Sequence, residues 1–331
     1  MRKIALGLAC AMAVCTMAFA GCDSTENGGE NLHVYMPDGA PALALGLPMY
    51  ENNDNDGVEY HVVSAQTIQT YVTGNSPAAD VCVLPVNLAG KLLGGQETYR
   101  MAGVVTHGNM YFLAEGEKEY AKENLSDLIG KTLGVVQLAN VPGLTLKIAL
   151  AENGVPYNDL SGGGEIRSDA VNLKPVNPTG LIGADVYLAP SPEADKHVEN
   201  TALNFVGDLQ AVYGNGYPQA VIVVKSSVLA AREEWVRGLL SKIDENTRWM
   251  NTVSKQTIAD AVAEHLAEGL TPKFTAETLT DGAIAHSGIW FQYMNAESVS
   301  EVNGFLEKMV EIDSTKAGVP HRDFYWLRDG R

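Results

Sequence analysis

Polar residues gather directly after short apolar runs at several places in this chain, where they have something to offer a bound molecule. Asp38, Gly39 and Ala40 follow LHVYM (32–36), Ser64 and Gln66 end and follow EYHVVS (59–64), and Asn87 stands just beyond DVCVL (80–84). Thr106, His107 and Asn109 surround Gly108 after MAGVV (101–105). In the second half Asn140 follows TLGVVQ (132–137), Ser191 follows DVYLA (185–189), and Tyr213 precedes QAVIVVK (219–225). The chemistry on offer is hydrogen bonding by amides, hydroxyls and the free N–H groups of helix starts. It suits recognition of a small solute rather than bond breaking.

Most of these residues also have a local reading. Asp38 can cap the helix that Pro41 helps to start, and Ser191 before Pro192 is a capping arrangement too. Asn87 lies just past Pro85 and can hold the turn. Gln66 and Asn140 carry both readings evenly. His107 is either a packed hinge residue or one facing a ligand. Tyr111, Tyr213 and Tyr217 can stack on a ligand or simply pack.

Enzyme signatures are missing. The chain holds no GxGxxG, no Walker loop, no GxSxG and no HExxH. Its seven histidines are scattered without metal-ligand spacing. No catalytic residue, cofactor or metal is expected.

Short apolar runs alternating with helix-like stretches predict an α/β fold built from two successive units. Strands are expected at 32–36, 59–64, 80–84 and 101–105, with helices near 41–50, 66–73 and 86–94. The second unit is expected to have strands at 132–137, 165–173 and 185–189, and helices near 142–153 and from Ser191. After a strand at 219–225 long helices take over, at 228–249, 254–269 and 297–312. Leu229, Val236, Leu239, Leu240, Ile243 and Trp249 give the first of these one packed face, and Glu233 with Arg237 an i,i+4 pair. Such a tail must pack on one of the two units.

Residues 1–22 read as a signal peptide, with Arg2 and Lys3 before an apolar stretch from Ile4 to Phe19. Ala18-Phe19-Ala20 fits ordinary secretory cleavage, while Phe19-Ala20-Gly21-Cys22 resembles a lipoprotein box in which Cys22 is lipidated. A polar tether at 23–31 favours the second. Cys82 is then the one cysteine left, an inert core residue with no disulfide partner. The balance of 23 Lys+Arg against 40 Asp+Glu, net −17, argues against nucleic acid as a partner.

The sequence resembles the substrate-binding lipoproteins of ABC importers, in the branch that includes nitrate, sulfonate and thiamine-precursor binders. The resemblance rests on MPDGAPALALG (36–46), ADVCVLPVNLAGKL (79–92), LSDLIGKTLGV (125–135), QLANVPGLTLKIAL (137–150) and GDLQAVYGNGYPQAVIVVKSSV (207–228). It implies a type II periplasmic-binding-protein fold, with lobe 1 at 32–107 plus 218–331 and lobe 2 at 108–217. Its ligand loops fall on Asp38-Gly39-Ala40, Ser64-Ala65-Gln66, Pro85 and Asn87, His107 to Asn109, and Leu138-Ala139-Asn140. It also implies two hinge crossings, near 107–113 and 211–220, with Tyr213 at the second. The implied partners are a small-molecule ligand, a permease with its ATPase, and the outer face of the cytoplasmic membrane through Cys22, with the chain as a monomer.

Two departures stand out. The Cys-rich motif of fungal thiamine-precursor enzymes is absent, and the mapped loops hold no Arg or Lys, which weakens sulfonate or nitrate as cargo. Helix N-termini can nevertheless hold anions without basic side chains. Two other readings are an enzyme on the same fold acting on a thiamine or menaquinone precursor, and a surface sensor with no transported cargo.

Overall fold

Buried and half-exposed residues alternate through LHVYMP, which makes Leu32–Pro37 the first strand, β1. The computed structural model describes residues 31–53, 56–214 and 216–328; the signal-peptide reading over 1–22, with Cys22, lies outside the described residues. The chain continues with β2 (Val58–Val63), β3 (Val81–Pro85), β4 (Tyr99–Thr106), β5 (Met110–Ala114) and β6 (Thr132–Val136). There follow β7 (Tyr157–Asp159), β8 (Val171–Val176), β9 (Val186–Pro190), β10 (Asn204–Asp208), β11 (Ala220–Lys225) and β12 (Ile289–Tyr293).

These strands form two six-stranded sheets, one ordered β12-β4-β11-β3-β1-β2 and the other β10-β5-β9-β6-β8-β7. In each, a parallel portion is extended by antiparallel strands: β1 pairs parallel with β2 and β3, while β11 runs against both β3 and β4. The chain leaves the first sheet through 107–109 and returns between Val212 and Ala220. Both connections contain a glycine at positive φ, Gly108 at 86° and Gly216 at 96°. A Cβ on Gly108 would lie 2.6 Å from Gln210 Cγ, and one on Gly216 would collide with the His107 carbonyl oxygen. The two crossings are thus pressed together where only glycine fits.

β3 shows why the sheets are legible. Val81 and Val83 enter one apolar cluster while Cys82 and Leu84 enter another, so both faces are buried and the strand reads as an unbroken apolar run.

The helices are α1 (Ala40–Leu43), α2 (Gly46–Tyr50), α3 (Val86–Leu88), α4 (Val141–Glu152), α5 (Glu193–Asn200) and α6 (Leu209–Val212). The tail adds α7 (Ser226–Ala231), α8 (Glu233–Met250), α9 (Lys255–Ala263), α10 (Asp281–His286) and α11 (Ala296–Asp313). It packs on the first sheet, with Val236, Leu239, Leu240 and Ile243 of α8 joining the cluster that holds Val34, Met36 and Val62. The Glu233–Arg237 pair forms, Arg237 Nη2 donating to Glu233 Oε1 at 2.7 Å.

Several elements differ from the sequence expectation. The helix expected at 41–50 is two short helices, because Asn246 of α8 inserts between them. Its Oδ1 accepts the Leu47 N–H at 2.7 Å and its Nδ2 donates to the Leu43 carbonyl at 2.9 Å. The helix expected at 66–73 shrinks to a 3-10 turn at Ile68–Tyr71, where Thr67, Thr70 and Thr73 return their hydroxyls to carbonyls three or four residues back. The stretch 228–249 is broken at Arg232, with φ −137° and ψ 36°, between α7 and α8. The strand expected at 165–173 starts only at Val171, since Asn172 ties the preceding loop by bonds to the Arg167 N–H and carbonyl at 2.8 and 2.9 Å. The tail also adds β12, a strand where helices alone were expected.

Candidate ligand-binding cleft

The carboxyl ends of β1, β3, β6 and β9 all point into one cleft of about 80 Å³ between the two sheets. Its first wall is the loop after β1. Asp38 is 3% exposed; its Oδ1 accepts the Gly39 N–H at 2.7 Å and its Oδ2 the Lys273 N–H at 2.8 Å. Burial pushes the Asp38 carboxyl above its ordinary range, and the backbone bond and charge of Lys273 oppose that shift. The N-cap of α1 is Gly39 and no side chain caps it, so Asp38 serves the loop and Lys273 rather than the helix. Gly39 sits at φ 102°, ψ −144°, which Gly alone adopts readily.

The second wall comes from the other sheet. Gln137, the residue just after β6, is held at φ 56°, a left-handed conformation uncommon outside glycine. Asn140 is the N-cap of α4 but makes no capping bond, and Pro142 fills the first turn. The first turn of this 12-residue helix therefore has no side-chain cap for its N–H groups, of which Pro142 contributes none. After β9, Pro190, Ser191, Pro192 and Glu193 complete the wall. The α5 N-cap is Pro192, and the Ser191 hydroxyl donates to the Asp195 carboxylate instead of capping.

The floor is built by the crossings. Asn109, 3% exposed, donates from Nδ2 to the Ser191 carbonyl at 2.6 Å and accepts at Oδ1 from Gln219 Nε2 at 2.6 Å. The buried Gln219 Oε1 has no hydrogen-bond partner among the described residues, on a side chain that lines the cleft. Two pairs bridge the walls: Lys273 Nζ to Glu193 Oε2 at 3.4 Å, and His286 Nδ1 to Asp195 Oδ1 at 2.7 Å.

Of the residues singled out in the sequence, Asp38, Gly39, Ala40, Asn109 and Asn140 come together around this cleft. Gln66 and Asn87 instead line an adjoining recess, which shares Ala65 and Asn140 with it. Ser64 donates to Gln66 Oε1, and Asn87, fully buried, donates to the Lys316 carbonyl at 2.9 Å. His107 and Tyr213 stand apart from the cleft walls. His107 stacks on Trp290 with ring centroids 3.3 Å apart, and its Nε2 meets Gln292 Oε1 at 3.1 Å. Tyr213 donates its hydroxyl to the Thr145 carbonyl at 2.7 Å and packs edge-on against Tyr217.

Glu193 belongs to the 190–193 loop expected after the 185–189 strand, whereas Lys273 and Gln219 are cleft residues that sequence reading did not place there. Lys273 corrects the picture of a site without a basic side chain: it arrives from the distant 270–275 segment, next to neither a strand end nor a motif. Cys82 is buried and free, with burial pushing its thiol up. In the Ser191–Asp195–His286 chain the carboxylate lies in the middle, so the histidine is not placed to take the serine proton.

No family model matches the chain, and no curated protein matches it. Solved structures do. An ABC transporter protein from Parabacteroides distasonis is 16% identical with a TM-score of 0.65, over 91% of this chain and 100% of that one. The periplasmic aliphatic sulphonate binding protein SsuA from Escherichia coli is 13% identical with a TM-score of 0.65, over 90% of this chain and 92% of that one. The desulfurization enzyme DszB is 14% identical with a TM-score of 0.56, over 91% and 97%. At these identities the likeness is one of fold: the chain has the two-lobed α/β architecture of periplasmic binding proteins, with a cleft between its two sheets.

Proposed function

We propose that this chain is the extracytoplasmic solute-binding component of an ABC importer. The observation that carries the reading is the cleft, whose walls come from both sheets and whose floor comes from both crossings. A solute held by both walls binds the closed form better than the open one, so binding draws the lobes together. Lobe 1 would comprise 32–107 with 218–331 and lobe 2 108–217, turning about the two glycine-containing crossings.

The solute is small and organic or anionic. Lys273 and the uncapped start of α4 favour an acidic group, and the amides of Asn109 and Gln219 orient the remainder. Lipid on Cys22 would tether the chain to the outer face of the cytoplasmic membrane, where it meets the permease and ATPase as a monomer. Among the described residues no helix is long and apolar enough to cross a membrane. Changing Cys22→Ser should release the protein into the soluble fraction.

The testing experiment is a thermal-shift screen of residues 23–331 against sulfonates, nitrate, bicarbonate, thiamine precursors, pyrimidines and amino acids. A solute at 100 times its Kd adds about 2.7 kcal/mol of stability. A hit recovered unchanged after long incubation supports the receptor. The fold shared with DszB gives a second reading, an enzyme, and conversion of the hit to product by this chain would favour it.

A further inference from the structure

Three side chains that the cleft does not use converge at the edge of the first sheet. The parallel register of β1 and β2 sets His33 opposite Glu59 and Tyr35 opposite His61. Because side chains alternate along a strand, these four share one face, while Val34, Met36, Tyr60 and Val62 are buried on the other. His33 Nδ1 lies 3.0 Å from His61 Nε2 and 3.6 Å from Glu59 Oε2, and His61 Nε2 lies 3.9 Å from the same oxygen. A circle through the three atoms has a radius of about 2 Å, the length of a bond from zinc to imidazole nitrogen or carboxylate oxygen. A hydrogen bond between the rings and histidine–carboxylate attraction can each account for one separation, and it is the meeting of two ring nitrogens and one carboxylate oxygen around a single point that suits an ion.

The surroundings hold each group in place. Tyr35 stacks on the His61 ring at 4.3 Å, and Tyr71 stacks on Tyr35 at 4.3 Å. Asn31 Nδ2 donates to Glu59 Oε1 at 2.7 Å, which leaves Oε2 for the histidines. Such outer contacts fix the direction of a ligand's lone pair. The side chains of His33, Glu59 and His61 are 37%, 47% and 30% exposed, open enough for an ion to enter and for water to complete its coordination. His33 lies four residues before Pro37, roughly 13 Å back along the strand from the cleft. The histidines are 28 residues apart in sequence, so only the strand register brings them together.

We propose that His33, Glu59 and His61 form a divalent metal site of the zinc class, separate from the solute cleft. Two imidazoles and one carboxylate suit Zn²⁺, Ni²⁺ or Cu²⁺, whereas Mg²⁺ and Ca²⁺ call for oxygen ligands.

The test is calorimetric titration of ZnCl₂ into chelator-treated chain carrying no polyhistidine tag, with MgCl₂ and CaCl₂ in parallel. The expected result is one zinc per chain, weakened at least tenfold in His61→Ala and in Glu59→Gln and unchanged in His321→Ala. Glu59 is exposed enough for its variant to fold even where His61→Ala does not. Co²⁺ should give a tetrahedral-type visible spectrum with the parent chain and lose it in Glu59→Gln. Absence of zinc binding, binding indifferent to both variants, or equal binding of Mg²⁺ would overturn the proposal.

Discussion

Asn109 and Gln219 stand on opposite crossings and are joined side chain to side chain, Gln219 Nε2 donating to Asn109 Oδ1 at 2.6 Å. Asn109 also grips the Ser191 carbonyl at 2.6 Å, so one amide ties both connections to the loop after β9. Groups in one hydrogen-bond network couple. In urea unfolding, the stability losses of Asn109→Ala and Gln219→Ala should therefore fall short of adding by about 0.5–3 kcal/mol. Simple additivity would mean that the two amides act independently.

Lys273 holds the cleft in two separable ways. Its backbone N–H serves Asp38, and its ammonium faces Glu193 at 3.4 Å. Lys273→Met keeps the first and removes the second. Because this ion pair is partly exposed, stability should change by no more than about 1 kcal/mol. Affinity for an acidic solute should drop tenfold or more, and its salt dependence should flatten. Titrating the screen hit at two ionic strengths checks both points; an affinity equal to that of the parent chain removes Lys273 from the site.

How far the sequence led differs between fold and site. The apolar runs that became β3, β9 and β11 announced the sheets, since central strands buried on both faces leave little ambiguity, while β1 showed as an alternation of buried and half-exposed residues. Asp38, Asn109 and Asn140 were legible because each follows a strand end. β12 was not: Trp290 is 42% exposed and Gln292 half-buried, so the edge strand lacks a clean apolar signal. Lys273 was invisible because its place depends on how the chain between α9 and α10 lies across Gly39, a tertiary fact with no local period. The His33–Glu59–His61 cluster was missed for a similar reason, its members meeting only through strand register.

His107 should make the protein sensitive to mild acid. Burial lowers its pKa to about 4, from an ordinary 6.5, and the bond to Gln292, itself held by Glu301 Oε2 at 3.0 Å, only partly offsets this. Between those values the unfolded chain carries a proton that the native chain refuses, so stability is full above the unfolded value and declines as pH falls toward the native one. The whole window corresponds to roughly 3 kcal/mol. Comparing urea unfolding at pH 7 and pH 4.5, the loss should be smaller in His107→Phe, which keeps the stack on Trp290 without a titrating ring. Equal losses would clear His107 of the effect.

Asn246 links α8 to the split between α1 and α2, and it is wholly buried. Asn246→Leu keeps the branched heavy-atom outline but leaves the Leu47 N–H and the Leu43 carbonyl without this partner. The cost should be about 1–3 kcal/mol for each group left unpaired. A lowered urea midpoint with unchanged m-value is the expected signature; an unchanged midpoint would show that the two groups find other partners.

The strand order has a consequence for how the molecule is made. The second sheet is drawn entirely from Met110–Asp208, whereas the first waits for β11 at Ala220 and β12 at Ile289 to complete strands laid down before Thr106. On the ribosome, the portion born first is therefore finished last, and the inserted portion can close while its host is still open. Pulsed amide labelling during refolding should protect Leu133 and Leu188 before Val34 and Val223, because distant pairings form late. The reverse order would mean that the host sheet gathers without waiting for its insert, leaving β1–β4 less time as unpaired edges inviting another chain.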